Sequence, residues 1–353
     1  MRVLSCQSAY GRGGVGQHFA HLVEETKATV GLAYYLNSRP NPDDGPAGRK
    51  VSDAVYQRLY QWTPLRYSTG WSSYLKNDLF DRRAASTLDE PAERFMGFVG
   101  QALHSFERAD ALGFKELELV AVNSHVDNVR RLHDQAARQW SHDDSWLNDW
   151  HRRKTLAEYE RADRIFVHSE YTRQSFLDAG VPESKLERTD LTPAPRFVPP
   201  SSRPDDDIFR VVYVGRVDIT KGIPVLLEAF SRLPDPAELT IVGGWATRHM
   251  KAYMQSWLDR EPRLRMAPGD PLPALHAADV FVHPSYEDGF GYAPAEAMAC
   301  GVPVIVTEDT GMKEYVTEGE NGYIVPTGSV DALHERLSHL RRHPIRPVSP
   351  TFA

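Results

Sequence analysis

Two cations follow the end of an apolar strand in the second half of the chain. Residues 213–222 read Tyr-Val-Gly-Arg-Val-Asp-Ile-Thr-Lys-Gly, so Arg216 and Lys221 stand five residues apart behind a glycine. Parallel strands end at the ligand crevice of an α/β sheet, and both side chains are expected to reach it. A planar guanidinium and a compact ammonium suit a diphosphate leaving group. Two solvated loop cations are the alternative interpretation of this segment taken alone.

A glycine-rich loop with two carboxylates lies further along the chain. Residues 284–301 read Pro-Ser-Tyr-Glu-Asp-Gly-Phe-Gly-Tyr-Ala-Pro-Ala-Glu-Ala-Met-Ala-Cys-Gly. Gly289 and Gly291 allow a close backbone approach, and the predicted helix that follows offers N–H groups to an anion. Asp288 and Glu296, with seven residues between them, would repel phosphate, so hydroxyl groups suit them better. Phosphates and hydroxyls together indicate a nucleotide sugar, whereas a helix N-cap plus one surface acid is the alternative.

Another glycine-rich loop follows the first predicted strand, residues 2–6. The pattern Gly-x-Gly-x-x-Gly over residues 11–16 leads into a helical pattern and satisfies a dinucleotide-binding fingerprint. That fingerprint needs an acid at the end of the second strand to hold a ribose. The second predicted strand, residues 29–36, is followed by Asn37 instead. We therefore discount a nicotinamide-dependent oxidoreductase.

Strands alternate with helices on both sides of a segment with five prolines, residues 192–207. Before it, the patterns predict strands at 2–6, 29–36, 117–122 and 164–168, an exposed loop at 37–50 and a long helical stretch at 126–161. After it, they predict strands at 210–214, 239–242, 280–282 and 302–306 and helices at 223–232, 250–260 and 293–299. The expected fold is α/β, with two Rossmann-like βαβ domains facing a central cleft. The expected bounds are a first domain at 1–195, a linker at 196–208, a second domain at 209–342 and a tail at 343–353.

Composition describes an ordinary soluble protein of 353 residues, long enough for two domains. The hydrophobic fraction is 41%, the charged fraction is 25%, and the formal net charge of −7 gives no attraction to nucleic acid. Residues 1–9 lack the apolar core of a secretory signal, and no stretch approaches the ~18 apolar residues of a membrane span. Cys6 and Cys300 are expected to be buried thiols in a reducing compartment. A cytoplasmic location is expected.

The segments 214–227 and 284–303 resemble the retaining GT-B glycosyltransferases of glycosyltransferase family 4, also described as glycosyl transferases group 1. The family pattern is Gly-Arg-(four residues)-Lys-Gly and then Glu-Gly-Phe-Gly-(four residues)-Glu-Ala-Met-Ala-Cys-Gly. The resemblance extends through 158–180 and 321–326 and is thin over 37–115. It implies GT-B architecture and transfer of a sugar from a nucleotide-diphosphate sugar to an acceptor hydroxyl, with retention of anomeric configuration. A catalytically inactive nucleotide-sugar-binding relative that acts as a partner protein is the alternative.

The resemblance implies a role for each matching residue of the second domain. Arg216 and Lys221 would hold the diphosphate, and Glu296 would bind the ribose hydroxyls. The first acid of the family's Glu-(seven residues)-Glu pair falls on Asp288, one methylene shorter and directly after Glu287. Which of these two acids reaches the sugar hydroxyls stays open. The rest of the expected donor loop is Gly289, Phe290, Gly291 and Tyr292.

In the first domain, Gly13 and Gly14 match the family's N-terminal glycine loop, which approaches the transferred sugar and phosphate. His125 lies where the family places a histidine near the reacting centre, where it would bind a donor sugar hydroxyl. A capping or supporting histidine is the alternative. No metal and no further cofactor are expected, because the cations and a helix terminus do the neutralising that magnesium does elsewhere. The expected partners are the donor and a glycan, lipid or small-molecule acceptor, without nucleic acid.

Three tryptophans leave peripheral membrane contact open as an alternative. Trp140, Trp146 and Trp150 are interleaved with arginines, a combination found at membrane interfaces. Core packing is the commoner use of such aromatic side chains. The aromatic-rich residues 56–74 suit an acceptor pocket equally well, because aromatic rings stack on sugars. The sequence does not decide among these alternatives.

The C-terminal tail is a departure from the family. Its members usually continue past the helix that corresponds to residues 330–342 and end with a helix that crosses back onto the first domain. Here Pro344, Pro347 and Pro350 follow at once. No crossing helix is therefore expected within residues 343–353.

Overall fold

The computed structural model of the protein describes residues 1–143 and 145–345, so most of the predicted tail lies outside the described residues. Within this part the chain forms two compact units. The first unit contains residues 1–128, 145–168 and 172–189, and the second contains residues 129–143, 169–171 and 190–345. Residues 129–143, which the sequence placed in the first domain, are thus grouped with the second unit. The reason is packing, because Leu132 and Ala136 lie in the apolar core of that unit.

The described residues of the first unit contain a seven-stranded parallel sheet in the order β3-β2-β1-β4-β5-β6-β7. Its strands are β1 (Arg2–Cys6), β2 (Leu32–Asn37), β3 (Gly48–Lys50), β4 (Arg94–Phe98), β5 (Glu116–Val120), β6 (Arg164–Val167) and β7 (Leu186–Arg188). Its helices are α1 (Gly13–Ala28), α2 (Ala54–Trp62), α3 (Thr69–Thr87), α4 (Leu103–Leu112), the start of α5 (Val126–Trp140), α6 (Asp149–Arg161) and α7 (Glu170–Asp178). The strand order reverses between β1 and β4, as in a Rossmann-like sheet.

The glycine loop after β1 is tightly constrained at one position. A Cβ atom at Gly16 would lie 2.2 Å from the carbonyl oxygen of Ala9, so a side chain does not fit there. Glycine at this position lets α1 pack directly against the loop that precedes it. The buried β1 residues Val3 and Leu4 complete this βα unit.

Within the described residues, the second unit repeats this plan with a six-stranded parallel sheet in the order β10-β9-β8-β11-β12-β13. Its strands are β8 (Phe209–Val214), β9 (Ala237–Val242), β10 (Leu264–Met266), β11 (Val280–His283), β12 (Val304–Thr307) and β13 (Gly322–Val325). Its helices are the remainder of α5 and α8 (Ile223–Ser231), α9 (Arg248–Leu258), α10 (Leu272–Ala277), α11 (Tyr292–Ala299) and α12 (Val330–Arg342). Two parallel sheets with flanking helices confirm the predicted α/β fold of two Rossmann-like domains.

The order of the second sheet positions the candidate site. Strands β8 and β11 are neighbours at the point where the strand order reverses. The loops that follow them therefore start side by side at the carboxyl edge of the sheet, which is where ligands bind in such folds. Both strands are buried apolar runs, as expected for a sheet covered on both faces.

Two predictions about local structure were wrong. The loop expected at 37–50 contains a 3₁₀ helix (Pro42–Ala47) and the edge strand β3. The long helical stretch at 126–161 is two helices, because Ser141 adopts a positive φ of 52° and a separate helix begins after Asn148, whose side chain caps it. No helix in the described residues is long and apolar enough to cross a membrane.

Candidate active site

Asp218 organises the loop that follows β8. Its buried carboxylate accepts hydrogen bonds from the guanidinium of Arg216 and from Oγ1 of Thr220, the latter at 2.7 Å. It also accepts one from the backbone N–H of Lys221 at 2.8 Å. Burial alone would raise the pKa of Asp218, but the charge of Arg216 and the bond from Thr220 outweigh it, so the pKa is lowered. One ionised carboxylate thus orients one candidate cation and the backbone of the other.

Lys221 reaches from this loop to the loop after β11. Its Nζ atom lies 2.8 Å from Oδ2 of Asp288 and 3.2 Å from the backbone oxygen of Glu287. The same Oδ2 atom lies 3.2 Å from Nε2 of His283, the last residue of β11. Burial opposes ionisation of Asp288, but the charge of Lys221 outweighs it and lowers its pKa. Asp288 is therefore a carboxylate that holds a cation.

The two loops touch through their backbones. A Cβ atom at Gly222, where φ is +72°, would lie 1.9 Å from the carbonyl oxygen of Pro284, so a larger residue would separate them. The backbone N–H of Tyr286 donates to the carbonyl of Thr220 at 2.9 Å. Oγ of Ser285 donates to the carbonyl of Glu287 at 2.7 Å. These contacts keep Lys221 beside the acid of the other loop.

The donor loop expected at residues 289–292 leads directly into α11. Gly291 is the N-cap of this helix with a φ of +94°, and Gly289 accepts a hydrogen bond from Oγ of Ser169 at 2.6 Å. The ring of Phe290 is buried in the apolar core, with its centroid 5.6 Å from that of Tyr292. Since the Phe290 side chain points into the core, only its backbone remains to meet a ligand.

Glu296 lies within α11 and is buried without a side-chain hydrogen bond to any other described residue. Burial raises its pKa to about 7, and the charge of Arg196 only partly opposes this. Such a carboxylate is suited to accept hydrogen bonds from the hydroxyl groups of a ligand. Glu287 is also buried, at 2% exposure.

The structure brings Arg216, Lys221, Glu287 and Asp288 together at the carboxyl edge of the second sheet, with Glu296 on the helix that follows. The donor roles assigned to them from the sequence stay predictions. Sequence reasoning did not assign roles to Asp218 or His283. The position of His283 at the end of a parallel strand was the signal available for it.

Gly13, Gly14 and His125 lie in the first unit. The two glycines are exposed at the start of α1, and Gly13 has a φ of +64°. The ring of His125 is buried, and its Nδ1 atom accepts a hydrogen bond from the backbone N–H of Asp127 at 3.3 Å, so the histidine caps α5. Burial lowers its pKa, which favours the neutral ring. Because Nδ1 accepts a hydrogen bond, the proton of the neutral ring is on Nε2. Contact of His125 with a sugar hydroxyl stays a prediction.

The three tryptophans of residues 140–150 have different environments. Nε1 of Trp140 donates to the hydroxyl of Tyr286 at 2.8 Å and its ring packs against the core of the second unit, which is the packing alternative. The ring of Trp146 lies 5.1 Å from that of His151. Trp150 is exposed.

A metal ion in a protein is held by several ligand side chains that lie close together. In the described parts of the chain, no three His, Cys, Asp or Glu side chains are grouped so that they could hold a metal ion. Metal independence stays a prediction, because only an activity measurement shows whether the reaction needs a metal.

Comparison with solved structures identifies the fold. The chain resembles sucrose-phosphate synthase from Thermosynechococcus elongatus with a TM-score of 0.73 and 20% identity, over 98% of this chain and 90% of that one. It resembles Anabaena Alr3699/HepE, solved with UDP and glucose, with a TM-score of 0.68 and 16% identity, over 96% of this chain and 89% of that one. At these identities the likeness shows the fold alone, which is the GT-B fold.

Comparison of sequences shows which relatives and which family model this chain is similar to. A mannosyltransferase of Mycolicibacterium smegmatis, described as GDP-mannose-dependent alpha-(1-6)-phosphatidylinositol monomannoside mannosyltransferase, is 34% identical over 214 residues, which is 53% of this chain. The chain spans about half the length of this relative, 55%. The model of the family described as glycosyl transferases group 1 matches residues 197–347, which include both cations and both loops of the candidate site. Over residues 197–347, which are less than half of the chain, the protein is therefore similar to the glycosyl transferases group 1.

Proposed function

We propose that this protein is a glycosyltransferase that moves a sugar from a nucleotide-diphosphate sugar to an acceptor hydroxyl. The observation that carries the proposal is the meeting of Arg216, Lys221 and Asp288 at the carboxyl edge of β8 and β11. Two cations held there by carboxylates, one of them the buried Asp218, form a site for a diphosphate. The match of residues 197–347 to the glycosyl transferases group 1 supports the same conclusion.

The chemistry follows from the charges. As the bond between the anomeric carbon and the phosphate oxygen breaks, negative charge grows on the departing diphosphate, and the two cations stabilise it. The acceptor oxygen forms the new bond to the anomeric carbon, and its proton passes to the departing phosphate oxygen. Glu296 binds the ribose hydroxyls, and the acid pair Glu287 and Asp288 supplies the contact to the sugar.

Retention of anomeric configuration is part of this proposal. Retention fits a same-face transfer, since the leaving phosphate can serve as the base for the acceptor on the face that it vacates. We propose further that no metal is needed, because Arg216 and Lys221 supply the positive charge that a metal supplies in other sites.

The relatives indicate the kind of substrate. The name of the Mycolicibacterium smegmatis relative specifies a GDP-sugar donor and a lipid-linked acceptor, and the Anabaena structure holds UDP and glucose. We infer that the donor base of this protein is guanine or uracil. An acceptor hydroxyl on a lipid would bring the protein to a membrane surface, and contact with that surface is included in the proposal.

A panel of nucleotide sugars in a thermal-unfolding assay tests the proposal. A donor at about 100 times its dissociation constant adds about 2.7 kcal/mol to the stability of the folded state. The donor that stabilises most is then used in a transfer assay with release of the nucleoside diphosphate as readout. Stabilisation by a donor without any transfer to glycan or lipid acceptors would favour the inactive binding relative. If no donor stabilises the protein, both the glycosyltransferase and the inactive nucleotide-sugar-binding relative are rejected.

A further inference from the structure

Most of the large apolar side chains that are exposed in the described residues lie in one part of the first unit. We call them the aromatic patch, and they are Val55, Leu59, Tyr60, Trp62, Tyr67, Trp71 and Trp150. Trp62 is 83% exposed, so its ring is covered by almost nothing. A cluster of exposed apolar side chains of this kind marks an interaction surface.

Helix α2 has its apolar stripe on the outside. Val55, Leu59 and Trp62 are spaced i, i+4 and i+7, so they lie on one face of the helix, and all three are exposed. The helix is attached by another face, where Tyr56 is buried and its hydroxyl shares a hydrogen bond of 2.7 Å with Oγ of Ser72. Water is thus met by side chains that an ordinary surface helix would turn inward.

The patch continues from α2 onto α3 and α6 and includes arginines. The ring centroids of Trp71 and Trp150 lie 6.5 Å apart. The guanidinium of Arg153 lies 5.7 Å from the ring of Trp150, and that of Arg66 lies 4.9 Å from the ring of Tyr67. Aromatic rings and guanidinium groups therefore occur together on this surface.

The charge of the segment selects the partner. Residues 54–77 contain no Asp or Glu but include Arg58, Arg66 and Lys76, although the whole chain has a net charge of −7. Of these three, Arg58 and Arg66 are exposed. Tryptophan and tyrosine favour the head-group level of a bilayer, and arginine is attracted to anionic lipid. A neutral or cationic partner would offer no negative charge to these arginines, whereas anionic lipid does.

We propose that the aromatic patch binds the surface of a bilayer that contains anionic phospholipids, with α2 in the head-group layer and its apolar stripe toward the acyl chains. This deepens the membrane contact included in the proposed function, but it does not depend on sugar transfer. The mode is that of an interfacial amphipathic helix, which lies on the membrane and does not span it.

Flotation with vesicles tests the proposal. Vesicles of phosphatidylcholine alone are compared with vesicles that also contain phosphatidylglycerol, without any nucleotide sugar. The full chain should bind the anionic vesicles and lose binding as salt is added. Leu59→Ser with Trp62→Ser should weaken binding at least roughly tenfold through lost apolar burial. Arg58→Glu with Arg66→Glu should weaken binding by a similar factor, because the arginines no longer attract the anionic lipid.

A control and a site-specific probe make the test sharp. Trp245→Ala, which removes an exposed tryptophan of the second unit, should leave binding unchanged. Both native cysteines are buried, so Gln61→Cys can be labelled selectively with an environment-sensitive dye, whose emission should shift to the blue on anionic vesicles only. The dye at Val198→Cys, an exposed position of the second unit, should not respond.

Several outcomes would overturn the proposal. One is equal binding to both vesicle types, and another is binding that the Trp62 and Arg58 variants leave intact. Self-association that Trp62→Ser abolishes, without vesicle binding, would assign the patch to a second copy of the chain. If the protein transfers sugar to a soluble acceptor but does not bind vesicles, the membrane proposal is rejected and the proposed transferase function stands. Vesicle binding without donor binding would leave this proposal standing and reject the transferase.

Discussion

Nζ of Lys221 lies 2.8 Å from Oδ2 of Asp288, and this ion pair joins the loops that follow two neighbouring strands, β8 and β11. Both side chains are about one fifth exposed, so a ligand can reach the pair. An arriving diphosphate would take Asp288's place at the ammonium or share it. Asp288 therefore holds the lysine in place before the donor binds, in addition to any contact that it makes with the sugar.

Replacing Lys221 by alanine should lower kcat/KM at least ~10²-fold, because the ammonium matters more as the phosphate leaves. Initial rates with the donor found by thermal unfolding measure this. Lys251→Ala is the control, since Lys251 is an exposed lysine of α9 in the same unit. Activity of Lys221→Ala within a few-fold of the unaltered protein would remove the lysine from the site.

The acid pair can be resolved by three substitutions. Asp288→Asn should cut turnover strongly, because it removes the charge that holds Lys221 and its charge-assisted hydrogen bonds, worth ~1.5–3 kcal/mol each. Glu287→Gln should be mild, and Asp288→Glu should keep partial activity. The measurement is kcat for all three proteins. A crippled Glu287→Gln protein beside a nearly unaffected Asp288→Asn protein would show that the sugar-binding acid is Glu287.

Asp218 should act as a positioning residue. Asp218→Asn keeps the shape but removes the charge that orients Arg216, so kcat/KM should fall roughly tenfold or more. Asp206→Asn is the matched control, because Asp206 forms an exposed ion pair with Arg210 in the same unit, and exposed ion pairs contribute little to stability. Equal behaviour of the two variants in rate and in melting temperature would contradict this role.

Glu296 should make stability depend on pH. Its pKa in the folded protein is about 7, against an ordinary value of 4.5, so between these values the folded state keeps a proton that the unfolded chain releases. The free energy of unfolding should therefore fall as the pH rises through this window. Glu296→Gln should remove that part of the fall and stabilise the free protein at pH values above about 7 by on the order of 1–3 kcal/mol.

Denaturant unfolding of both proteins between the two pKa values measures the effect. Burial also raises the pKa of Glu158 to about 7, but that carboxyl contributes equally to both proteins and cancels in the difference. Glu335→Gln, at an exposed position of α12, serves as the control. Parallel pH curves for the unaltered protein and Glu296→Gln would contradict the prediction. Donor affinity should fall in Glu296→Gln, which separates its effect on binding from its effect on stability.

Chelation should leave transfer intact. The cations at positions 216 and 221 supply the charge stabilisation, so a chelator should change the rate by less than about twofold. The rate is measured before and after treatment with chelator, and again after magnesium or manganese is added. Activity that disappears with the chelator and returns with the metal would reject the metal-free mechanism.

The sequence predicted the elements that depend on local pattern. The bounds of β1 (Arg2–Cys6) agree with the predicted strand, and α12 (Val330–Arg342) agrees with the expected helix. Buried parallel strands are continuous apolar runs, and helices begin at capping residues, so both leave a local signal. Short strands such as β10 (Leu264–Met266) were missed, because pairing with β9 defines them and three residues carry no periodicity.

In the candidate site too, the local motifs were predictable from the sequence and the long-range contacts were not. The glycines and cations of 215–222 and 284–301 form a dense local motif, so their position at strand ends was predictable. The partners of those residues were not. His283 and Lys221 share one carboxylate oxygen of Asp288. Lys221 and Asp288 are 67 residues apart in the chain, and they meet only because β8 and β11 are neighbouring strands. The break after Trp140 could not be predicted either, because Ser141 adopts a positive φ that a serine seldom adopts.

The grouping of residues 129–143 with the second unit determines how that unit can be isolated. A recombinant fragment cut at the proline-rich segment would lose the helix that covers its core at Leu132 and Ala136. It would also lose the indole that donates to the hydroxyl of Tyr286. Such a fragment should expose apolar surface and precipitate, whereas supplying this helix as a synthetic peptide should restore its solubility. A fragment of the second unit therefore has to include residues 129–143, which precede the proline-rich segment in the chain but pack with this unit.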